Sequence, residues 1–146
     1  MSKRLWDGAG PVLLDTSAWM QARRGGEARD LLLGAVERAD VRWCWPVRYE
    51  LMVDARGPDG IAAVERTLDG LPEVPVDRRV QRAVLATMRE LASKGSHGAH
   101  RFPLTDLTVA AAAQDAGVGI VHFDQHLERL GEHLGVEASW ISDPPS

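Results

Sequence analysis

Four carboxylates stand where an α/β chain places its chemistry: Asp15, Glu50, Asp106 and Asp124. Asp15 directly follows the apolar run Val12-Leu13-Leu14, and Asp124 directly follows the run from Val118 to Phe123. Glu50 comes a few residues after Val41-Arg42-Trp43-Cys44-Trp45, and Asp106 opens the alanine-rich segment Leu107 to Ala116. In an open parallel sheet, ligands bind beyond the carboxyl ends of the strands. If these runs are parallel strands, three of the acids share that edge and Asp106 can join them. Two unit charges about 4 Å apart repel by roughly 4 kcal/mol at an effective dielectric near 20. A divalent cation removes that cost, and Mg²⁺ and Mn²⁺ are hard ions that prefer oxygen ligands. The pattern therefore points to metal-assisted hydrolysis, with Ser17 placed to brace Asp15. Taken singly, each acid also suits a helix N-terminus. Only their joint placement carries the metal reading.

The elements that must position these acids follow from periodicity. Pro11 to Leu14 reads as a short buried strand, and Ser17 to Arg23 as a short helix broken by Gly25-Gly26. Glu27 to Ala39 has apolar residues at helical spacing. Val41 to Trp45 reads as a strand, with Trp43 and Trp45 on one face for core or dimer packing. Pro46 suits the first turn of a helix that carries Glu50. Gly57-Pro58-Asp59-Gly60 reads as a turn, and Ile61 to Leu68 as a helix ended by Gly70. Glu73 to Val76 is a weak strand weakened further by its prolines. Asp77 is placed to cap a long helix reaching about Ala92. Ser93 to Arg101 is a glycine- and histidine-rich loop, and Thr105 caps the next helix, which Gly117 stops. Val118 to Phe123 is a buried strand, Gln125 to Leu134 a helix ended by Gly135, and Val136 to Ile141 a last strand. Alternating helices and strands imply a mostly parallel α/β sheet of about four or five strands, flanked by helices in three layers. Residues 1–10 read as a loose leader, 11–141 as one domain and 142–146 as a tail.

The bulk numbers fit this layout. A chain of 146 residues suits one domain with one core. Its hydrophobic content of 45% and charged content of 26% are ordinary for a globular protein. No apolar run approaches the roughly 18 residues of a membrane span, and Lys3-Arg4 precede no signal-peptide core. With one cysteine, Cys44, no internal disulfide forms, and the thiol reads as a small hydrophobe. These features point to the cytoplasm. The net charge of −4 argues against a protein that coats nucleic acid. Setting aside the four site acids, however, leaves 17 of the 21 acidic residues against 17 basic ones. The basic residues are nearly all arginine, which suits phosphate, so nucleic acid as a transient substrate stays open.

With these residues in place, the chain resembles the PIN-domain ribonucleases, specifically the VapC toxins of bacterial toxin–antitoxin pairs. The resemblance rests on Val12-Leu13-Leu14-Asp15-Thr16-Ser17, on Glu50 after the second strand, on Asp106-Leu107-Thr108-Val109-Ala110-Ala111-Ala112-Ala113, and on Val121-His122-Phe123-Asp124. It spans about Val12 to Trp140. It implies that Asp15, Glu50, Asp106 and Asp124 are the catalytic and metal-binding acids, supported by the hydroxyl of Ser17. It further implies one or two Mg²⁺ or Mn²⁺ ions, held chiefly by Asp15 and Asp106. Single-stranded RNA would be cut to 5′-phosphate and 3′-hydroxyl ends, with a cognate VapB-like antitoxin and a homodimer as partners. The chain departs from the family at two places. Many members have Thr or Ser where His122 stands, and a second acid where His126 stands.

Two other classes compete. A non-catalytic binding module of the same fold would gain nothing from clustered acids, and a metal-dependent phosphatase or DNA nuclease would use the same ions. His97, His100, His122 and His126 bring no cysteine pair or HExxH pattern that would mark a zinc site. His100-Arg101, just before Asp106, is placed either to meet a phosphate or simply to be solvated. Ser17 has no base partner that would make it a nucleophile.

Overall fold

Four short strands, all parallel, run through the centre of the protein in the order β2-β1-β3-β4. In this computed structural model, which describes residues 3–95 and 98–145, they are β1 (Val12–Leu14), β2 (Val41–Arg42), β3 (Gly119–His122) and β4 (Ala138–Trp140). Seven helices among the described residues flank them: α1 (Thr16–Ala22), α2 (Gly26–Glu37), α3 (Trp45–Asp54), α4 (Gly57–Asp69), α5 (Arg78–Lys94), α6 (Leu104–Ala116) and α7 (Gln125–Leu134). Leu13, Leu14, Ile120 and Val121 are all within 1% of complete burial. Such uninterrupted apolar runs belong to a parallel sheet covered on both faces.

The order places a topological switch between β1 and β3. From β1 the chain moves to β2 on one side, whereas β3 lies on the other side of β1 and leads away to β4. Leu14 pairs with Val121, so the two central strands end in step. The Asp15 N–H continues the ladder onto the Val121 carbonyl at 2.9 Å. The crevice at such a switch is where open α/β sheets bind ligands.

Helix α6 supplies the fourth acid. Its residues Asp106 to Ala113 are all buried, and their small side chains let the neighbouring helices α5 and α7 pack closely against it. Gly117 and Gly135, both at φ 69°, close α6 and α7 in the left-handed conformation that favours glycine. Asp77 caps α5, accepting from the Val80 N–H at 3.2 Å.

Several sequence expectations are corrected. Part of the supposed leader is not loose: Leu5 bridges to Trp140, the Trp6 N–H donates to the Trp140 carbonyl at 2.8 Å, and Trp6 is buried. Trp45 does not share a strand face with Trp43; it opens α3 and is 55% exposed, while Trp43 is buried. Gly57 to Gly60 form the first turn of α4, where Pro58 lacks a donor the helix does not need. Glu73 to Val76 reduce to one bridge between Trp43 and Glu73. Prolines 72 and 75 flank that bridge and remove ladder donors. Helix α6 starts at Leu104 after Pro103, so Thr105 is not its cap. The expected loop from Ser93 begins later, since α5 runs to Lys94. His97 lies outside the described residues.

Candidate metal centre

Asp15 sits at the carboxyl end of β1 and caps α1. Its Oδ2 accepts from the Ser17 N–H at 3.1 Å and from the Ser17 hydroxyl at 2.6 Å. The Ser17 hydroxyl oxygen accepts in turn from the Phe123 N–H, at 2.8 Å. Ser17 thus ties the end of β1 to the end of β3. The other oxygen, Oδ1, is buried with no hydrogen-bond partner among the described residues. Burial raises the carboxyl pKa above its usual range, and Asp124 and Glu50 add to the rise while the Ser17 hydrogen bonds oppose it. A buried acceptor without a donor is costly unless something positive meets it.

Glu50 lies in the middle of α3, and both its oxygens are held. Thr16 donates to Oε1 at 2.6 Å and Thr105 donates to Oε2 at 3.2 Å. Thr105 is therefore an orienting residue for Glu50, and Thr16 is its counterpart from the turn beside Asp15.

Asp106, in the first turn of α6, is buried, and its pKa is pushed up to about 6. Burial is the main cause, with Asp15 and Asp124 adding repulsion and a hydrogen bond to His126 opposing them. Nδ1 of His126 lies 3.0 Å from Asp106 Oδ2 and 3.6 Å from Asp124 Oδ1. Asp124 caps α7, its Oδ1 accepting from the His126 N–H at 2.8 Å. Ligand atoms of Asp106, Asp124 and His126 all lie within 4.8 Å of one another. Electrostatics links the four acids through Asp15, which feels Asp124 and Glu50, while Asp106 feels Asp15 and Asp124.

His122 occupies a structural position below this cluster. It is fully buried and packs edge-on against Trp140 at 4.8 Å. Nδ1 accepts from the Asp124 N–H at 3.1 Å, which leaves Nε2 to donate to Glu128 Oε1 at 3.0 Å. That pattern requires the neutral ring, and burial lowers the pKa accordingly, against the pull of Glu128. His122 thereby fixes the backbone from which Asp124 projects.

Sequence reasoning missed three contributors: Thr16, Glu128 and Phe102, whose ring meets that of His126 edge-on at 5.4 Å. Thr16 was legible as a hydroxyl adjoining Asp15; Glu128 and Phe102 have no local signature. His100 and Arg101 form a turn, the Arg101 N–H bonding Gly98. Cys44 is buried and its thiol is pushed up to about 12, chiefly by burial, which keeps it out of reactive chemistry. The donor set of carboxylate oxygens, the unpartnered Asp15 oxygen and the raised Asp106 pKa all fit a divalent cation.

Comparison with known proteins shows the family of the chain. The PIN domain family profile matches residues 12–133. Ribonuclease VapC18 of Mycobacterium tuberculosis is 31% identical over 128 residues, covering 88% of this chain and 93% of that protein. Ribonuclease VapC6 of the same species is 34% identical over 110 residues, covering 75% and 84%. Among solved structures, a DNA-bound VapBC complex from Salmonella typhimurium superposes with a TM-score of 0.70 at 20% identity, covering 90% of this chain and 98% of that one. FitAcB from Neisseria gonorrhoeae gives a TM-score of 0.57 at 20% identity, covering 88% and 96%. At these identities the two structures speak for the fold alone.

Proposed function

The chain belongs to the PIN-domain family, and from that membership and the acidic crevice we propose that it is a metal-dependent endoribonuclease, the toxin of a toxin–antitoxin pair. The observation that supports this best is the convergence of Asp15, Asp106 and Asp124 at the switch point, with one buried Asp15 oxygen left without a donor. We take residues 11–141 as the catalytic unit.

Asp15 and Asp106 would hold the ion, Mg²⁺ or Mn²⁺, with Asp124 alongside. When bound, such an ion activates the attacking water and stabilises charge on the leaving oxygen of a phosphodiester. The chain's own groups do the remaining work. Ser17 orients Asp15 and locks it to β3. The hydroxyls of Thr16 and Thr105 fix Glu50 so that its carboxylate takes or relays a proton from the nucleophile. The products carry 5′-phosphate and 3′-hydroxyl ends, as the family resemblance implies. Arginines and exposed aromatics around the crevice would grip single-stranded RNA.

A VapB-like antitoxin and a second copy of the chain are the proposed protein partners. One solved structure of this fold named above is a VapBC complex. An apolar groove lined by Trp19, Leu33, Val36 and Val64 suits an amphipathic antitoxin helix. Trp45, Tyr49 and Val53, at 55%, 62% and 67% exposure, form one stripe along α3 that suits a homodimer contact. No helix among the described residues is long and apolar enough to cross a membrane, and an RNA-cutting toxin would act in the cytoplasm.

The test is a cleavage assay. Purified protein with Mn²⁺ should cut single-stranded RNA and leave 5′-phosphates, EDTA should stop it, and Asp15→Asn or Asp106→Asn should abolish it. Undiminished cutting by both variants would reject the assignment. A phosphatase or DNA nuclease would show itself in the same assay by preferring those substrates.

A further inference from the structure

His126 lies beside two of the candidate acids, and its position is that of a ligand. Its Nδ1 is 3.0 Å from Asp106 Oδ2 and 3.6 Å from Asp124 Oδ1. Neighbouring donors around an octahedral ion with bonds of about 2.1 Å lie about 3.0 Å apart, and opposite ones about 4.2 Å. Both His126 distances fall in that range, and the ligand atoms of all three side chains lie within 4.8 Å of one another. The Phe102 ring, edge-on to the imidazole, restricts how far it can swing away. A second observation points the same way: the buried Asp15 leaves Oδ1 without a hydrogen-bond partner among the described residues, and its carboxylate is close enough to repel those of Asp106 and Asp124.

Resting on the ribonuclease reading above, we propose that His126 supplies a nitrogen ligand to the divalent ion that Asp15 and Asp106 hold beside Asp124, so that the site takes a first-row transition ion in preference to Mg²⁺. Mg²⁺ favours all-oxygen shells and dehydrates reluctantly, whereas imidazole binds first-row transition ions well. A neutral imidazole adds no negative charge to the pocket, so the directional nitrogen bond is the source of selectivity.

The experiment uses the full chain loaded with Mn²⁺ and reads nitrogen coupling by pulsed EPR, with Mn²⁺ and Mg²⁺ affinities measured by competition calorimetry. The expected result is a ¹⁴N signal in the native protein that is absent from His126→Asp while Mn²⁺ still binds. The preference for Mn²⁺ over Mg²⁺ should fall by at least about tenfold in that variant, since groups that merely orient ligands are already worth 10–100-fold. His126→Gln, which preserves size and a hydrogen bond to Asp106, should lose the signal too. Saturable Mn²⁺ binding without nitrogen coupling would overturn the proposal and reduce His126 to a hydrogen-bonding partner of Asp106. Absence of any saturable Mn²⁺ binding, in native and variants alike, would overturn the metal centre itself and this proposal with it.

Discussion

Replacing Asp106 with Asn should make the metal-free protein more stable while removing its activity. The carboxyl is pushed from 3.8 to about 6 by burial and by Asp15 and Asp124. At 1.36 kcal/mol per pH unit, that rise corresponds to about 3 kcal/mol of destabilisation once the group is ionised. Asn keeps the shape and a hydrogen bond to His126 but not the charge. Part of the repulsion also persists between Asp15 and Asp124, so the expected gain is about 1–3 kcal/mol, or roughly 3–9 °C in Tm for a domain of this size. The sign fixes the pH window. The folded state holds the Asp106 proton more tightly than the unfolded chain does, so its contribution is favourable below about pH 4 and is lost as pH rises to about 6. The advantage of the variant should therefore be small near pH 4 and full above pH 6. Saturating Mn²⁺, at about 100 times its Kd, should add about 2.7 kcal/mol to the native protein and little to the variant, closing or inverting the gap between them. Thermal melts in EDTA and in Mn²⁺, at about pH 4.5 and pH 7.5, read all of this. A variant less stable than native in EDTA at neutral pH, or equal Mn²⁺ stabilisation of both, would refute the reasoning.

Ser17→Ala strips the Phe123 N–H and Asp15 Oδ2 of a shared partner; it should cost about 1–3 kcal/mol in denaturant unfolding. The same variant should also weaken Mn²⁺ binding by roughly 10–100-fold in calorimetry. Glu50→Gln keeps a hydrogen bond to at least one of Thr16 and Thr105, so its melting should barely change while kcat for RNA cleavage falls by roughly 10²–10⁴; an unchanged kcat would remove Glu50 from proton transfer. His122 is held neutral by burial, so the unfolded chain binds its proton more tightly and stability should fall as pH drops below about 6.5. His122→Asn should be less stable at neutral pH, and a denaturation series across pH should show that this acid-side loss has flattened.

The sequence made the central strands and the acids legible for a simple reason. Leu13-Leu14 and Ile120-Val121 are unbroken apolar runs, which only a doubly covered parallel sheet buries, and each is followed within a few residues by an acid. The caps at Asp77, Gly117 and Gly135 were equally readable, because each depends on one residue's own hydrogen bond or φ. What escaped was set by tertiary packing. Trp45 looked like strand because its neighbours are aromatic, yet Pro46 turns the chain into α3 there. Residues 4–6 carry no strand signal and are ordered by backbone hydrogen bonds to Trp140 of β4 and by burial of Trp6. Thr105 was visible as a cap but is recruited by Glu50, 55 residues away. The role of His126 beside Asp106 is likewise a contact that no local pattern encodes.

The most direct measurement is a crystal of the full chain grown with Mn²⁺ and examined by anomalous scattering at the manganese edge. A strong peak should lie at about 2.1 Å from oxygens of both Asp15 and Asp106, with Asp15 Oδ1 among them. No peak in that crevice at saturating Mn²⁺, or a peak bound elsewhere with Asp15 Oδ1 still unpartnered, would mean that the four carboxylates meet for some reason other than holding a metal.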